Sequence, residues 1–423
     1  MVKLEENKFY TEGRAIEVLP LPRKVYIPLS QHLGQPCKPL VAVGDIVSLG
    51  QKIGSIDAHL YASIHASIPG KVASIEDYPH PILGKFKTIV IEADDNLASR
   101  AIKIRLQDEV DKLTPQEIRN IIFEAGIVGM GGASFPTHIK LNPPQPVDTL
   151  IINGAECEPY LTADYRLMIE KAEEIVNGVE LVARCLGVKN VYIAIEDNKP
   201  KAIDRFKAFS SKFEVKVLRS IYPQGGEKQL IKSVLGKEVL RGKLPFDAGV
   251  VVHNVGTVYA IYEAVYLNKP LYERVVTVTG RCLEKPKNLL VRIGTPIKEL
   301  IDFSSPLREE PAKIIIGGPM MGIAQYTDQV PVIKSTNGVL LLDKKEARYL
   351  DEECCIRCGA CVRECPAGLM PCLINLASEK ALWQEAIKYG ALDCIECGIC
   401  NYVCPANRIL VQSIKRAKLE AVR

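Results

Sequence analysis

The chain has 423 residues, 47% of them hydrophobic and 25% charged, with a net charge of +4. That composition is ordinary for a globular protein of about two to four domains, and so small a charge, with no interleaving of basic and aromatic residues, excludes nucleic-acid binding. No basic start leads into an apolar run, and no stretch approaches about 18 uninterrupted apolar residues, so neither an export signal nor a membrane span is expected.

Residues 1–97 are expected to form a lead-in and a small β domain. The lead-in, 1–23, is punctuated by Pro20 and Pro22. From Lys24 to Ala93 strand-like runs alternate with turns: KVYIPLS, KPLVAVGDIVSLGQKIGSI, ASIHASIPGKVASIE and KTIVIEA, with Gly44-Asp45 and Pro69-Gly70 as turn pairs. The pattern V-x-V-G-D-x-V-x-x-G-Q-x-I-G, followed by P-G-K-V-x-x-I, resembles the barrel-sandwich of biotinyl and lipoyl carrier domains. Those domains carry a modified lysine at a hairpin tip. No lysine lies between Lys52 and Lys71 here, so a structural sandwich is expected instead of a swinging arm. His59 and His65 are read as surface or packing residues.

Residues 98–272 are expected to be a doubly wound α/β nucleotide-binding domain. Thr114-Pro115-Gln116-Glu117 opens a helix with a capping box and proline at its first position, and the helix stops at Gly126. The glycine-rich GIVGMGGASFPTHIK follows. DTLIING (148–154) predicts a buried strand, 163–186 one long amphipathic helix, VYIAIED (191–197) and FEVKVLRS two more strands, and AGVVVHN (248–254) a fourth that runs into Val255-Gly256-Thr257 and a helix. The loop YPQGGE (222–227) precedes another helix. Apolar strands alternating with helices predict a parallel sheet covered on both faces. Ligands of such sheets bind beyond the carboxyl ends of the strands, where NGAECEPY and NVGT lie. Residues 129–134 offer bare backbone N–H groups suited to a pyrophosphate, or form a tight turn that packs a helix on the sheet.

Residues 273–335 return to short strands (RVVTVTG, NLLVRIGTPI, AKIIIGGPMMG) with a turn at Gly317-Gly318-Pro319, and predict a small α+β module. Met320 and Met321 either shield a cofactor or fill a core. The stretch 331–353 is expected to tether this module to residues 336–423.

Ten of the fourteen cysteines fall between Cys354 and Cys404. Cys355, Cys358, Cys361 and Cys365-Pro366 make one C-x2-C-x2-C-x3-C-P run, and Cys394, Cys397, Cys400 and Cys404-Pro405 make a second. This run is the signature of bacterial two-cluster ferredoxins, in which the fourth cysteine of each run ligates the other cluster. The resemblance implies Cys355, Cys358, Cys361 and Cys404 for one 4Fe-4S cluster, and Cys394, Cys397, Cys400 and Cys365 for the second. Three thiolates two residues apart wrap one face of a cubane, and the fourth must come from elsewhere. Gly359 and Gly398 remove a side chain where backbone passes close to the cluster. Structural zinc sites usually pair separated C-x2-C units instead. A disulfide framework does not suit thiols so closely spaced, and iron–sulfur ligation fits a reducing cytoplasm. Cys354 and Cys372 are left over as spare thiols, with Cys354 able to compete with Cys355.

The stretches IEVLPLP, GIVGMGGASFPTHIKL, DTLIINGAECEPYLTADYRLM, YPQGGEKQLI, NVGTVYAIYEAV, VVTVTG and IIIGGPMMG resemble the C subunit of the Rnf ferredoxin–NAD oxidoreductase complex over nearly the whole chain. The central domain is also similar to the flavoprotein subunit of respiratory complex I, and the small module to the soluble-ligand-binding β-grasp domain. The resemblance implies FMN and an NAD(H) site in the central domain. By motif, Gly129, Gly131, Gly132 and Ala133 approach the phosphates, Phe135 offers an apolar face, and Lys140 reaches the flavin or its phosphate. Asn153, Glu156 and Glu158 match the N-x-x-E-x-E-P run that lines the flavin and nicotinamide pocket, and Asp164 follows it. Glu227 matches an acidic residue of the G-E loop, and Asn254 and Thr257 the N-x-x-T beside the flavin phosphate. Ser134 departs from the pattern, where glycine is usual. On chemistry alone Glu156 and Glu158 also read as solvated carboxylates, and Asn254 as a helix cap.

The implied activity is electron transfer between NADH and FMN and on through two 4Fe-4S clusters, within an ion-pumping complex of membrane and ferredoxin-like subunits. The alternative is a soluble reductase serving another enzyme, such as a cobalamin reductase or an amino-acid reductase system. A third reading is a non-redox scaffold with zinc in the cysteine region. The basic residues after Pro405, among them Arg408, Lys415, Arg416, Lys418 and Arg423, either dock an acidic partner or a membrane surface or form a solvated helix face.

Overall fold

A computed structural model of the chain describes residues 1–94, 96–97, 103–347 and 350–422. The expected boundary at 97/98 abuts residues 98–102, outside the described residues, as are 348–349 of the expected tether and Arg423.

The first region is the expected sandwich. One sheet orders the strands Lys24–Pro28, Gly84–Ala93, Gly70–His80 and Ile46–Val47, and the other Lys38–Pro39, Lys52–Ser55 and Ile64–His65. Alternation sends Val25 and Ile27 inward, where they meet Val47, Ile53, Ile64, Val72, Ile89 and Ile91. The sequence suggested short strands throughout. Instead Gly70–His80 and Gly84–Ala93 form one long hairpin, paired from Gly70↔Ala93 to His80↔Gly84. Its outer half holds because Tyr78 stacks on Tyr26 with ring centroids 3.9 Å apart. His65 is buried and burial drops its pKa to about 3, a packing residue.

The central region is a parallel sheet in the order Glu214–Leu218, Asn190–Glu196, Thr149–Gly154, Val250–Asn254. Thr114 caps the helix Pro115–Glu124 as expected, accepting from Glu117 N at 3.3 Å while the Glu117 carboxylate accepts from Thr114 N at 2.7 Å. The long helix expected over 163–186 is broken at Lys171 into Ala163–Glu170 and Ala172–Leu186. Both pieces pack in the main core, and Thr162, at the head of the first, also bonds into the neighbouring β module. The chain order reverses between Thr149–Gly154 and Val250–Asn254, which opens a crevice at their carboxyl ends.

The third region is larger than expected. Its six-stranded sheet orders Ile16–Val18, Lys287–Arg292, Glu273–Thr279, Gly338–Leu342, Lys313–Ile316 and Ile323–Ala324. The lead-in supplies an edge strand, and the stretch expected only as a tether supplies an inner one. Gly338–Leu342 is buried along its whole length, which suits an inner strand better than a linker.

The last region is a set of short helices, Ala360–Arg363, Pro371–Glu379, Trp383–Lys388, Ile399–Tyr402 and Leu410–Val422, around Leu369, Ile374, Ala386, Ala391, Ile414 and Ala417. The two cysteine runs repeat each other in backbone as well as in sequence. Arg357 and Glu396, each just before a second cysteine, take φ +55° and +58°, and Gly359 and Gly398 take φ +74° and +81°.

Candidate functional site

The glycine-rich segment is a closed loop. Gly129 N donates to Phe135 O at 2.9 Å, and Val128 pairs with Pro136 at its neck. Ser134 takes φ +53°, the left-handed backbone that makes glycine usual there. Its carbonyl accepts from Leu33 N of the sandwich at 3.1 Å, which pins the loop from outside. Met130 N donates to Thr257 Oγ1 at 2.8 Å, and a side chain at Gly131 would put its Cβ 3.0 Å from Asn254. The loop therefore lies over the start of the helix Val255–Leu267 at the crevice. Among the described residues, nothing in the chain accepts from the N–H groups of Gly131, Gly132 or Ala133.

Asn254 is the helix cap that one reading expected, accepting from Gly256 N at 2.8 Å and Thr257 N at 3.3 Å. Its amide donates to Asp164 Oδ2 at 2.6 Å. Asn153, at the end of the neighbouring strand, donates to Gly225 O at 2.9 Å and so ties the YPQGGE loop to the sheet. Lys140 reaches Glu227 at 2.6 Å across the same opening. The structure thus gathers the loop, the two strand ends, Asp164, Lys140 and Glu227 around one crevice.

Glu156 and Glu158 are half-buried and hydrogen-bonded to backbone N–H groups instead of standing free in solvent. Glu156 accepts from Asp164 N at 2.7 Å and Tyr165 N at 3.1 Å at the start of a helix. Burial, and then the charge of Glu156, push the Asp164 pKa up to about 7. Glu158 turns the other way, accepting from Met320 N at 3.2 Å and Met321 N at 2.8 Å. Burial raises its pKa to about 7 against those bonds. Met320 is a packing residue beside Cys397, while Met321 is exposed.

The thiols of the second set come together. Cys365, Cys394, Cys397 and Cys400 line one cavity with Leu369, Ile395, Ile399 and Ile414. Cys361 of the other set lies beside Cys372 and Cys404, and burial followed by those thiols raises its pKa to about 11. Among the described residues no three His, Cys, Asp or Glu side chains converge as they would around one metal ion. Thiols around a four-iron cage stand farther apart than thiols around one ion, and the cavity shared by Cys365, Cys394, Cys397 and Cys400 suits such a cage. The second set is also joined to the central region. Tyr222 OH donates to Cys397 O at 2.8 Å and lies 3.4 Å from Glu158, and the Cβ of any side chain at Gly398 would fall 2.6 Å from Met320 O. The basic residues of the last helix are spent internally: Lys418 holds Cys394 O at 2.6 Å and Glu396 at 2.7 Å, and Arg416 lies over the Trp383 ring.

Two residues at this crevice escaped the sequence reading. His253 is fully buried with its Nε2 unpartnered, and Lys140 adds to burial in holding its pKa well down. Gln224 is buried with its Oε1 unpartnered. Buried polar atoms without a partner in the chain, together with the unpaired N–H groups of the glycine loop, suit a polar ligand such as FMN. The one available signal was adjacency: His253 directly precedes the N-x-x-T motif, and Gln224 lies inside YPQGGE.

Comparison with known proteins gives four family matches in chain order. The RnfC barrel sandwich hybrid domain covers residues 2–96, the Nuo51 FMN-binding domain 122–263, the SLBB domain 275–324 and the 4Fe-4S dicluster domain 347–405. The chain is 50% identical over 98% of its length, and 92% of the relative's, to the C subunit of the proton-translocating ferredoxin:NAD+ oxidoreductase complex of Clostridium ljungdahlii. It is 45% identical over 95% of its length, and 91% of the relative's, to the C subunit of the Na+-translocating ferredoxin:NAD+ oxidoreductase complex of Acetobacterium woodii. A chain of the NAD+-reducing [NiFe]-hydrogenase in its H2-reduced state shares the fold at 18% identity and a TM-score of 0.52, over 76% of this chain and 68% of that one.

Proposed function

The chain belongs to the C-subunit family of ion-translocating ferredoxin:NAD+ oxidoreductase complexes, and we propose that its crevice at the sheet end is where NAD(H) meets the electron path of such a complex. FMN held in this crevice would supply hydride exchange with the nicotinamide, and 4Fe-4S clusters held by the eight cysteines would supply one-electron transfer. The protein's part is to bind, orient and insulate. The N–H groups of residues 131–133 and Lys140 receive phosphate, with Gly129 at the neck of the loop. Asn254 and Thr257 fix that loop, and Phe135 closes its base. Asn153 and Glu227 hold the opposite wall, and Glu156, Glu158 and Asp164 present a half-buried acidic floor. No side chain needs to act as general acid or base.

One observation carries the reading: the loop of Cys397 is bonded to Tyr222 and packed on Met320, at the same end of the sheet as the nucleotide candidates. It supports reading Cys394, Cys397, Cys400 and Cys365 as ligands of an inner cluster and Cys355, Cys358, Cys361 and Cys404 as ligands of an outer one, facing a redox partner in the complex. The division into residues 1–97, 98–272, 273–335 and 336–423 belongs to the same proposal. No helix among the described residues is long and apolar enough to cross a membrane; like its relatives, which are C subunits of such complexes, the chain is under this proposal a subunit held at the cytoplasmic face by contacts with other subunits. Anaerobic titration of the reconstituted protein with NADH, followed by optical and EPR spectra, tests the path. Flavin bleaching with a reduced-cluster signal is expected. Clusters that respond to dithionite but not to NADH would remove the nicotinamide assignment.

A further inference from the structure

We propose that Lys8 is a positioning residue for this redox centre: its buried ammonium grips the backbone of the Glu156–Leu161 loop and fixes a positive charge behind that loop's acidic side chains. The inference rests on reading this loop as part of the flavin and nicotinamide site.

The lead-in does more than precede the sandwich. Val2 exchanges two backbone bonds with Tyr222, at 3.0 and 2.8 Å, and Leu4 packs near Tyr222 and Cys157. Tyr160 N donates to Glu6 O at 2.7 Å, and Thr11 bonds Thr162 through their hydroxyls at 2.7 Å. Residues 2–11 therefore run along the whole Glu156–Thr162 segment. In the middle, Lys8 is only 6% exposed, and its Nζ donates to Glu156 O at 2.8 Å, Glu158 O at 2.9 Å and Leu161 O at 2.6 Å.

Three acceptors match the three N–H donors of an ammonium; a neutral amine would turn its lone pair on one carbonyl. The acceptors are neutral, so the charge is not cancelled where it is held. The Lys8 pKa is lowered overall, by burial and then by Lys199, against the opposing pull of Glu156 and Glu196. The grip also accounts for Glu156 at φ +45°, a conformation a side-chain-bearing residue keeps only when its surroundings impose it. The loop's carbonyls are taken by Lys8, and its carboxylates point elsewhere: Glu156 to the helix start beside Asn254, and Glu158 to the Met320 turn. A fixed cation one backbone layer behind these groups favours the electron-rich form of a redox group bound in front.

The test uses the full chain reconstituted with iron, sulfide and FMN, as wild type, Lys8→Gln and Lys8→Arg. Iron, FMN content and the ratio of reduced to oxidised flavin at a fixed NADH/NAD+ ratio are measured. Lys8→Gln is expected to keep its iron and to show a flavin ratio about tenfold lower, about 30 mV for a two-electron couple, while Lys8→Arg stays within about twofold of wild type. An unchanged ratio in flavin-loaded Lys8→Gln overturns the proposal. Equal loss of iron and FMN from both variants also overturns it, because Lys8 would then serve folding alone. A wild type that binds no FMN removes the flavin reading itself, and the Lys8 proposal with it.

Discussion

The two cysteine runs are nearly the same sequence placed in two environments. Their loops share the left-handed glycine, the left-handed residue before the second cysteine and the short helix after it. Yet Cys397 and Cys400 are buried, while Cys355 and Cys358 are exposed. The second loop is sealed by Tyr222, Met320, Ile399 and Val2; the first has Ile356 open to solvent beside it. Ligation is a local property of spacing, whereas the order of the two centres along a path is a property of what covers them. Burial and hydrogen bonding around the thiolates also tune potential, so identical motifs are expected to behave differently.

The largest effect comes from breaking one set at a time. Cys397→Ser is expected to cut iron from about eight to about four per chain and to leave the remaining cluster unreduced by NADH, although dithionite still reduces it. Cys355→Ser is expected to lose as much iron but to keep NADH reduction of the inner cluster. EPR of the two variants checks this, and the reverse result would invert the assigned order.

The buried side is next expected to carry a pH dependence that the exposed side lacks. The Asp164 pKa is raised to about 7 in the folded chain, so its contribution to stability is full below the ordinary carboxylate range and is lost as pH rises toward 7. In the flavin-free protein the melting temperature of the transition that includes the central region is expected to fall by roughly 5 °C more between pH 5 and 8 in wild type than in Asp164→Asn. Equal slopes in a calorimetric series would contradict it.

Tyr222→Phe is a smaller and local cut. It leaves Cys397 O without its donor, at a cost of about 1–3 kcal/mol, and is expected to shift the EPR signal of the inner cluster while leaving the outer one unchanged. The smallest effect belongs to Cys354→Ser. Cys354 is exposed and outside both sets, so iron content and both signals are expected to stay at wild-type values; loss of the outer cluster would make Cys354 a ligand in place of Cys355.

The elements of the central sheet were legible because three of its strands are short apolar runs and two of its helix starts carry a side-chain cap. Thr114 with Glu117 is the plainest case. The site was legible as a set of strand ends and glycines, since binding beyond the strands is a rule of parallel sheets. His253 was not, because an orphaned imidazole is defined by its neighbours and not by its flanking residues. The break at Lys171 escaped for a similar reason: 163–186 reads as one amphipathic period, and only the packing divides it. Nor did the sequence mark Gly338–Leu342 as an inner strand or Lys8 as a ligand of three carbonyls.

By itself, then, the sequence determined what depends on neighbours along the chain: the order of the regions, the caps, the glycine turns and the spacing of thiols. The tertiary structure alone decided which thiol set lies against the nucleotide crevice, which carboxylates are buried, and that the lead-in clamps the acidic loop. Those depend on residues such as Lys8 and Leu161, or Tyr222 and Cys397, that are distant in sequence and are brought together only when the chain buries its apolar surface.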